Sequence, residues 1–177
     1  MAVSLYELTV PNYLQILGGV AGAMDKAAEH AVESDLDLAQ LVDFRLREDM
    51  LPFSFQVISV WHHSHGAIEG LKAGEFNPPP DLGTLDYSAL RGLVAEASES
   101  MKALSPEDVD KFEGQAMKFK MGDFEIPFST ANFIQSFSMP NFYFHATTTY
   151  DILRLHGVPL GKMDFLGAMR VDVGQAH

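Results

Sequence analysis

The pattern that most restricts the fold lies near the C-terminus, in residues 133–157, FIQSFSMPNFYFHATTTYDILRLHG. Apolar side chains recur there at helical spacing, which predicts one long helix. On a helical wheel of about 100° per residue, His145 lies on the apolar face, between Ile152 on one side and Phe142 on the other. Small polar side chains and a second histidine share this side of the helix: Ser138, Asn141, Thr148, Thr149 and His156. Because buried polar groups need partners, water or an ion, a functional site is expected on this face.

Apolar side chains at helical spacing also predict three long helices upstream, at residues 5–31, 53–73 and 86–104. Shorter helices are expected at residues 38–42 and after Ser105. Ser4 and Glu7 have the spacing of a capping box. Pro11 predicts a kink or a late start of the first helix, because proline lacks a backbone amide hydrogen. Three glycines of this helix are candidates for close approach of a neighbouring element: Gly18, Gly19 and Gly22.

A β-hairpin is predicted before the last helix. Apolar residues alternate with polar ones over residues 117–121 and again over 124–128, and Gly122-Asp123 between them forms a turn signal. An isolated hairpin is marginally stable, so it is expected to pack on the helices or on a second subunit. The predicted fold is all-α, a single domain over residues 1–177 in which a four-helix bundle carries this hairpin. The tail from residue 158 is expected to be irregular, and residues 168–177 to be flexible.

Composition excludes several classes of function. The chain of 177 residues has a formal net charge of −12, which argues against nucleic acid and anionic membranes as partners. It has no cysteine, so a disulfide framework, a thiolate zinc site and a cysteine nucleophile are excluded. No apolar run has the length of a membrane span, and the N-terminus does not have the pattern of a secretory signal. A cytoplasmic location is expected.

Histidines are the best candidates for chemistry. Three of the seven lie in the Trp61–His65 segment of the second predicted helix. The wheel places His62 away from the apolar stripe, towards solvent, and places His63 and His65 on its two flanks. The expected pair is therefore His145 with either His63 or His65, one imidazole from each of two helices. A divalent metal site usually needs a third protein ligand. The possible ligands are the weak donors Asn141 and Thr149 and three carboxylates, Asp25, Glu29 and Glu69.

Four stretches carry a resemblance to a known family: residues 4–14, 140–154, 157–161 and 164–167. They resemble domain-of-unknown-function family 1993, which is similar to the DinB/YfiT-like superfamily of four-helix bundles. That superfamily includes dimers and divalent-metal enzymes, among them thiol-dependent transferases. The resemblance implies a homodimer and a metal held by three histidines, one on the second helix and two spaced four apart on the last. Here His145 matches one last-helix histidine, His63 or His65 can supply the other helix, and Asn141 and Thr149 interrupt the spaced pair.

Two classes of function follow as hypotheses. The first is a transferase or hydrolase that depends on Zn, Ni, Mn or Fe, with a degenerate histidine site at His145, His63 and His65. The second is a metal-free protein, either a small-ligand-binding bundle or a structural dimer without catalysis. In the ligand-binding case, four polar or aromatic side chains are expected to line the pocket: Asn141, Thr149, Ser138 and Trp61.

Overall fold

The computed structural model describes residues 3–171. The chain is mostly helical, with one small three-stranded sheet. The helices before the β-hairpin are α1 (Leu5–Glu33), α2 (Leu38–Asp43), α3 (Phe53–Trp61), α4 (Ala67–Ala73), α5 (Tyr87–Lys102) and α6 (Pro106–Asp110). The later ones are α7 (Thr130–Phe133), α8 (Met139–Leu155) and α9 (Lys162–Leu166). The strands are β1 (Glu75–Phe76), β2 (Ala116–Met121) and β3 (Phe124–Ser129).

Two of the predicted long helices contain a π-helical segment. The segment π1 (His62–Gly66) joins α3 to α4, and π2 (Ile134–Ser138) joins α7 to α8. The first of these composite helices ends at Gly74, with φ of 69°, and the second is followed by Gly157, with φ of 84°. A positive φ is easily adopted only by glycine, which explains why both helices end there.

The first helix begins at Leu5, so a late start caused by Pro11 is wrong. The capping box is present: Ser4 Oγ accepts from the Glu7 amide at 3.3 Å, and the Glu7 carboxylate accepts from the Ser4 amide at 3.1 Å. Pro11 cannot donate to the Glu7 carbonyl one turn earlier. The side-chain amide of Asn12 donates to that carbonyl instead, at 3.3 Å, so the helix continues through the proline.

The long helices pack around one core. Helix α1 contacts α5, α8 and α9, and α3 contacts α5 and α8. Large side chains from these helices are fully buried between them, including Tyr13, Phe53, Leu90 and Phe142. Among residues 3–171, no helix combines the length and apolarity that a bilayer span requires.

The sheet covers one end of these helices. Strands β2 and β3 form an antiparallel hairpin with the pair Met117 and Phe128, and β1 adds to β2 in parallel. Sequence reasoning did not find β1, which has two residues. Phenylalanines join the sheet to the last composite helix, with ring centroids 5.0 Å apart for both Phe76–Phe133 and Phe119–Phe137. The hairpin therefore packs on the helices of its own chain.

The segment after the last long helix is ordered against α1, which corrects the expectation of an irregular tail from residue 158. Val158 and Leu160 are buried, and α9 follows them. Gln15 Nε2 donates to the Leu166 carbonyl at 2.9 Å. Gly19 leaves the space for this segment, because a Cβ there would lie 2.4 Å from the Phe165 carbonyl oxygen. Residues 172–177 of the expected flexible tail lie outside the described residues.

Candidate functional site

The structure brings His63 and His145 together. Their ring centroids lie 6.0 Å apart, and the ring planes differ by only 14°. His63 comes from π1 and is 8% exposed, whereas His145 comes from α8 and is half-buried. Aromatic rings border the pair on several sides: Phe76, Phe137, Phe55 and Phe144. The site is thus two imidazoles from different helices in a largely apolar environment.

The His145 ring is oriented by Gln56. Its Nδ1 lies 2.7 Å from Gln56 Oε1, and the amide nitrogen of Gln56 donates to the Leu51 carbonyl at 2.9 Å. Since the amide oxygen can only accept, His145 Nδ1 is the protonated nitrogen and Nε2 carries the lone pair. Burial lowers the pKa of His145 to about 4, so the ring is neutral at neutral pH.

The His63 ring is placed by Ser138 and Tyr13. Ser138 Oγ donates to the backbone carbonyl of His63 at 3.0 Å and lies 3.4 Å from His63 Nδ1. Because its only proton serves that carbonyl, Oγ accepts from the Tyr13 hydroxyl, 3.4 Å away, and can accept from Nδ1–H. Burial lowers the pKa of His63 to about 3, and the neighbouring His62 and His145 contribute to this lowering. Burial also raises the pKa of Tyr13, so the phenol stays protonated.

The prediction that His62 faces solvent is wrong. His62 is 7% exposed, its Nε2 lies 2.8 Å from the Asn77 carbonyl oxygen, and its ring stacks on Phe76 at 4.4 Å. There are two physical reasons. A π-helical turn is wider than an α-helical one, so a regular wheel misplaces residues within π1. Phe76 of β1 also stacks on His62, on the face that the wheel assigned to water.

His65 and Trp61 lie on the other flank of the first composite helix, away from His145. His65 Nδ1 lies 3.0 Å from Ser100 Oγ of α5, which itself donates to the Ala97 carbonyl at 2.8 Å. The Trp61 ring stacks on His65 at 5.5 Å. Trp61 Nε1 is buried, with no hydrogen-bond partner among the described residues. Of the two open alternatives, His63 is therefore the neighbour of His145.

Most of the small polar groups on the last helix are satisfied by the helix itself. Thr148 donates to the Phe144 carbonyl at 2.8 Å, and Thr149 to the His145 carbonyl at 2.9 Å. Asn141 Nδ2 donates to the Phe137 carbonyl at 2.7 Å. Ser138 is the exception, since it bonds across to π1. The bonds of Thr148, Thr149 and Asn141 to the preceding helical turn satisfy these side chains without any ion or ligand.

The three carboxylates considered as further ligands lie elsewhere. Asp25 forms a bidentate ion pair with Arg91 at 2.7 and 2.9 Å, and Glu69 forms an ion pair with Lys72 at 2.8 Å. Glu29 borders a separate surface pocket beside Lys26. Within the part of the chain that the structure describes, no three His, Asp or Glu side chains are grouped so that they could hold a metal ion.

Sequence reasoning missed Gln56 and Tyr13, the two side chains that support the pair. Gln56 lies seven residues before His63, two helical turns along the same face. This spacing was a usable signal for a polar partner. Tyr13 lies one turn before Leu17 on the buried face of α1, where the sequence alone indicates only core packing.

The fold is that of a DinB-like protein. The chain is similar to a crystal structure of a DinB family member protein from Shewanella denitrificans, with 25% identity, a TM-score of 0.77 and 96% of each chain covered. Residues 5–166 match the family described as Domain of unknown function (DUF1993), and the chain belongs to that family. Both resemblances drawn from the sequence are thereby confirmed. The search of curated proteins found no match.

Proposed function

We propose that the long helices act as a DinB-like four-helix bundle whose functional centre is the His63–His145 pair, and that this pair binds a divalent metal ion. The observation that carries the proposal is the pairing of two neutral imidazoles from different helices at 6.0 Å, each with a protein polar group beside its Nδ1. The metals considered are Zn, Ni, Mn and Fe.

The hydrogen-bond partners of the two imidazole rings fit such a site. Metal-binding histidines usually donate their other ring nitrogen to a protein acceptor, which fixes the tautomer. Gln56 is that acceptor for His145, at 2.7 Å. The low pKa values of both rings mean that protons do not compete for the ligand nitrogens at neutral pH.

The number of protein ligands fits only in part. Two imidazoles are fewer than the three protein ligands of a typical catalytic zinc site. Asn141 and Thr149 take the positions four residues before and after His145, and their donor groups bond to their own helix. The residues present thus favour a two-histidine site with open positions and modest affinity. A divalent cation there would supply Lewis-acid chemistry of the transferase or hydrolase kind.

A metal-free binding function is the second candidate. The small number of protein metal ligands favours this function. Two neutral imidazoles, each with an unprotonated ring nitrogen, can accept hydrogen bonds from a small molecule without any ion. In that case Ser138 and Tyr13 maintain the shape of the site, and Gln56 keeps His145 in its accepting tautomer.

Calorimetric titration of chelator-treated full-length protein with Zn²⁺ and Ni²⁺ tests the metal proposal. We expect one ion per chain, loss of binding in His145→Gln and His63→Gln, and binding weakened by about tenfold in Gln56→Ala. His65→Gln is the matched control from the same helical segment and should bind normally.

Absence of a binding heat in the folded wild-type protein would rule out the metal site. A thermal-shift screen with small metabolites would then test the second candidate, which requires a response that His145→Gln abolishes. The homodimer and the cytoplasmic location stay predictions. Light scattering at micromolar concentration tests the dimer, and exposed Phe144 and Leu155 on α8 are the natural contact residues.

A further inference from the structure

A cavity lies apart from the histidine pair, where α1 and α8 end. It is open to solvent, has a volume of about 480 Å³ and is bordered by the last turn of α1, the connection to α2, α2 itself and the end of α8. Its lining includes His30, Asp35, Phe44 and His156. A volume of this size suits a small molecule.

The two histidines of this cavity have distinct roles. His156 Nδ1 lies 2.9 Å from the Ile152 carbonyl oxygen, so Nδ1 is the protonated nitrogen of the neutral ring and Nε2 carries a lone pair. The ring packs edge-on against Phe44, with centroids 4.4 Å apart. His30 Nε2 lies 3.7 Å from where a Cβ on Gly157 would be, so the two imidazoles line neighbouring parts of one cavity. Within residues 3–171 the His30 ring has no hydrogen-bond partner.

The charges around the cavity are negative. Asp35 and Asp37 line it, and no lysine or arginine side chain does among the described residues. Asp37 also caps α2 through its Oδ1, which accepts from the Ala39 amide at 2.8 Å. Helices α1 and α8 both end here, and the C-terminal end of a helix carries partial negative charge. An anionic ligand would therefore be repelled by the carboxylates and by both helix ends.

Three apolar side chains also line the cavity: Leu36, Leu41 and Phe44. The cavity thus combines a short apolar surface with hydrogen-bond acceptors and negative charge. We infer that it binds a small primary aliphatic amine, with the ammonium group donating to the Asp35 carboxylate and to His156 Nε2 and the alkyl chain lying on Leu41 and Phe44. This inference does not depend on the His63–His145 site.

Titration of the full-length chain with butylamine tests it, followed by NMR of the histidine side chains. We expect saturable shifts at His30 and His156. Butanol and butyrate have similar apolar bodies without the cationic group, and both should bind at least about tenfold more weakly. Asp35 is exposed, so Asp35→Asn should fold normally and weaken butylamine binding several-fold. Glu96→Gln removes the same charge at an exposed site on α5 and should have no effect.

Three results would overturn the inference. One is equal binding of butylamine and butanol by the wild-type protein, a comparison that requires no variant. Another is butylamine binding that is unchanged in both Asp35→Asn and His156→Gln. The third is Zn²⁺ or Mg²⁺ alone shifting His30 and His156 while butylamine does not.

Discussion

Replacing Gly19 by alanine should destabilise the protein, whereas the same change at the preceding glycine should stabilise it. A Cβ on Gly19 would lie 2.4 Å from the Phe165 carbonyl oxygen and 2.9 Å from that of Asp164. Both are backbone atoms, which cannot rotate away as a flexible side chain would. Gly18 is exposed, and a Cβ there would meet no other element of the described chain within 4 Å. Gly18 and Gly19 lie in the same helix, but only Gly19 faces the backbone of Asp164 and Phe165.

The magnitudes follow from one stabilising and two destabilising contributions. Alanine in a helix interior is favoured over glycine by about 1 kcal/mol, and Gly18→Ala should gain up to that amount. At Gly19 overpacking costs about 1–3 kcal/mol. A shift of residues 158–166 would also strain the 2.9 Å hydrogen bond from Gln15 Nε2 to the Leu166 carbonyl. This strain lowers the free energy of unfolding by about 1 kcal/mol more. The expected net change for Gly19→Ala is a loss of about 1–3 kcal/mol.

Urea unfolding followed by circular dichroism measures these free energies, and tryptic cleavage after Lys162 reports whether α9 has left α1. We expect Gly19→Ala to lower the free energy of unfolding and to speed cleavage at this site. Gly22→Ala is a second control, since its Cβ would also have open space around it among the described residues. The reasoning is refuted if Gly19→Ala is as stable as Gly18→Ala and its cleavage rate is unchanged.

Two further predictions concern the histidine pair. Burial lowers the pKa of His145 from 6.5 to about 4, so the unfolded chain binds its proton more tightly; stability present above pH 6.5 is therefore lost as pH falls towards 4. The melting temperature of His145→Gln should therefore fall less than that of the wild type between pH 6.5 and pH 4, whereas that of His65→Gln should fall as in the wild type. The same fall with pH in the wild type and both variants would contradict this prediction. Ser138→Ala leaves the buried His63 carbonyl without its donor and should cost about 1–3 kcal/mol in urea unfolding. The exposed Ser136→Ala of the same π segment should stay within about 0.5 kcal/mol of wild type, and equal losses would argue against a special role for Ser138.

The helices and the hairpin could be predicted because their signals are local. The capping box of Ser4 and Glu7, the stop at Gly74 and the turn at Gly122 act within a few residues of themselves. Periodicity then identifies the buried face of each regular helix. It placed His145 on the apolar face of the last helix, and it placed His63 and His65 on the two flanks of the apolar stripe. The same reasoning failed at His62, because the periodicity changes within π1 and because β1 lies over it.

The long helices, the hairpin and a histidine on the buried side of the last helix could thus be predicted from the chain alone. The packing of the helices was needed to establish that His63 rather than His65 meets His145, that Gln56 sets its tautomer, and that residues 158–166 pack on α1. Gln56 and His145 are 89 positions apart in the chain, and no local pattern links them. Helix periods and caps arise from interactions between near neighbours in sequence, whereas a site between helices depends on how their buried faces pack together.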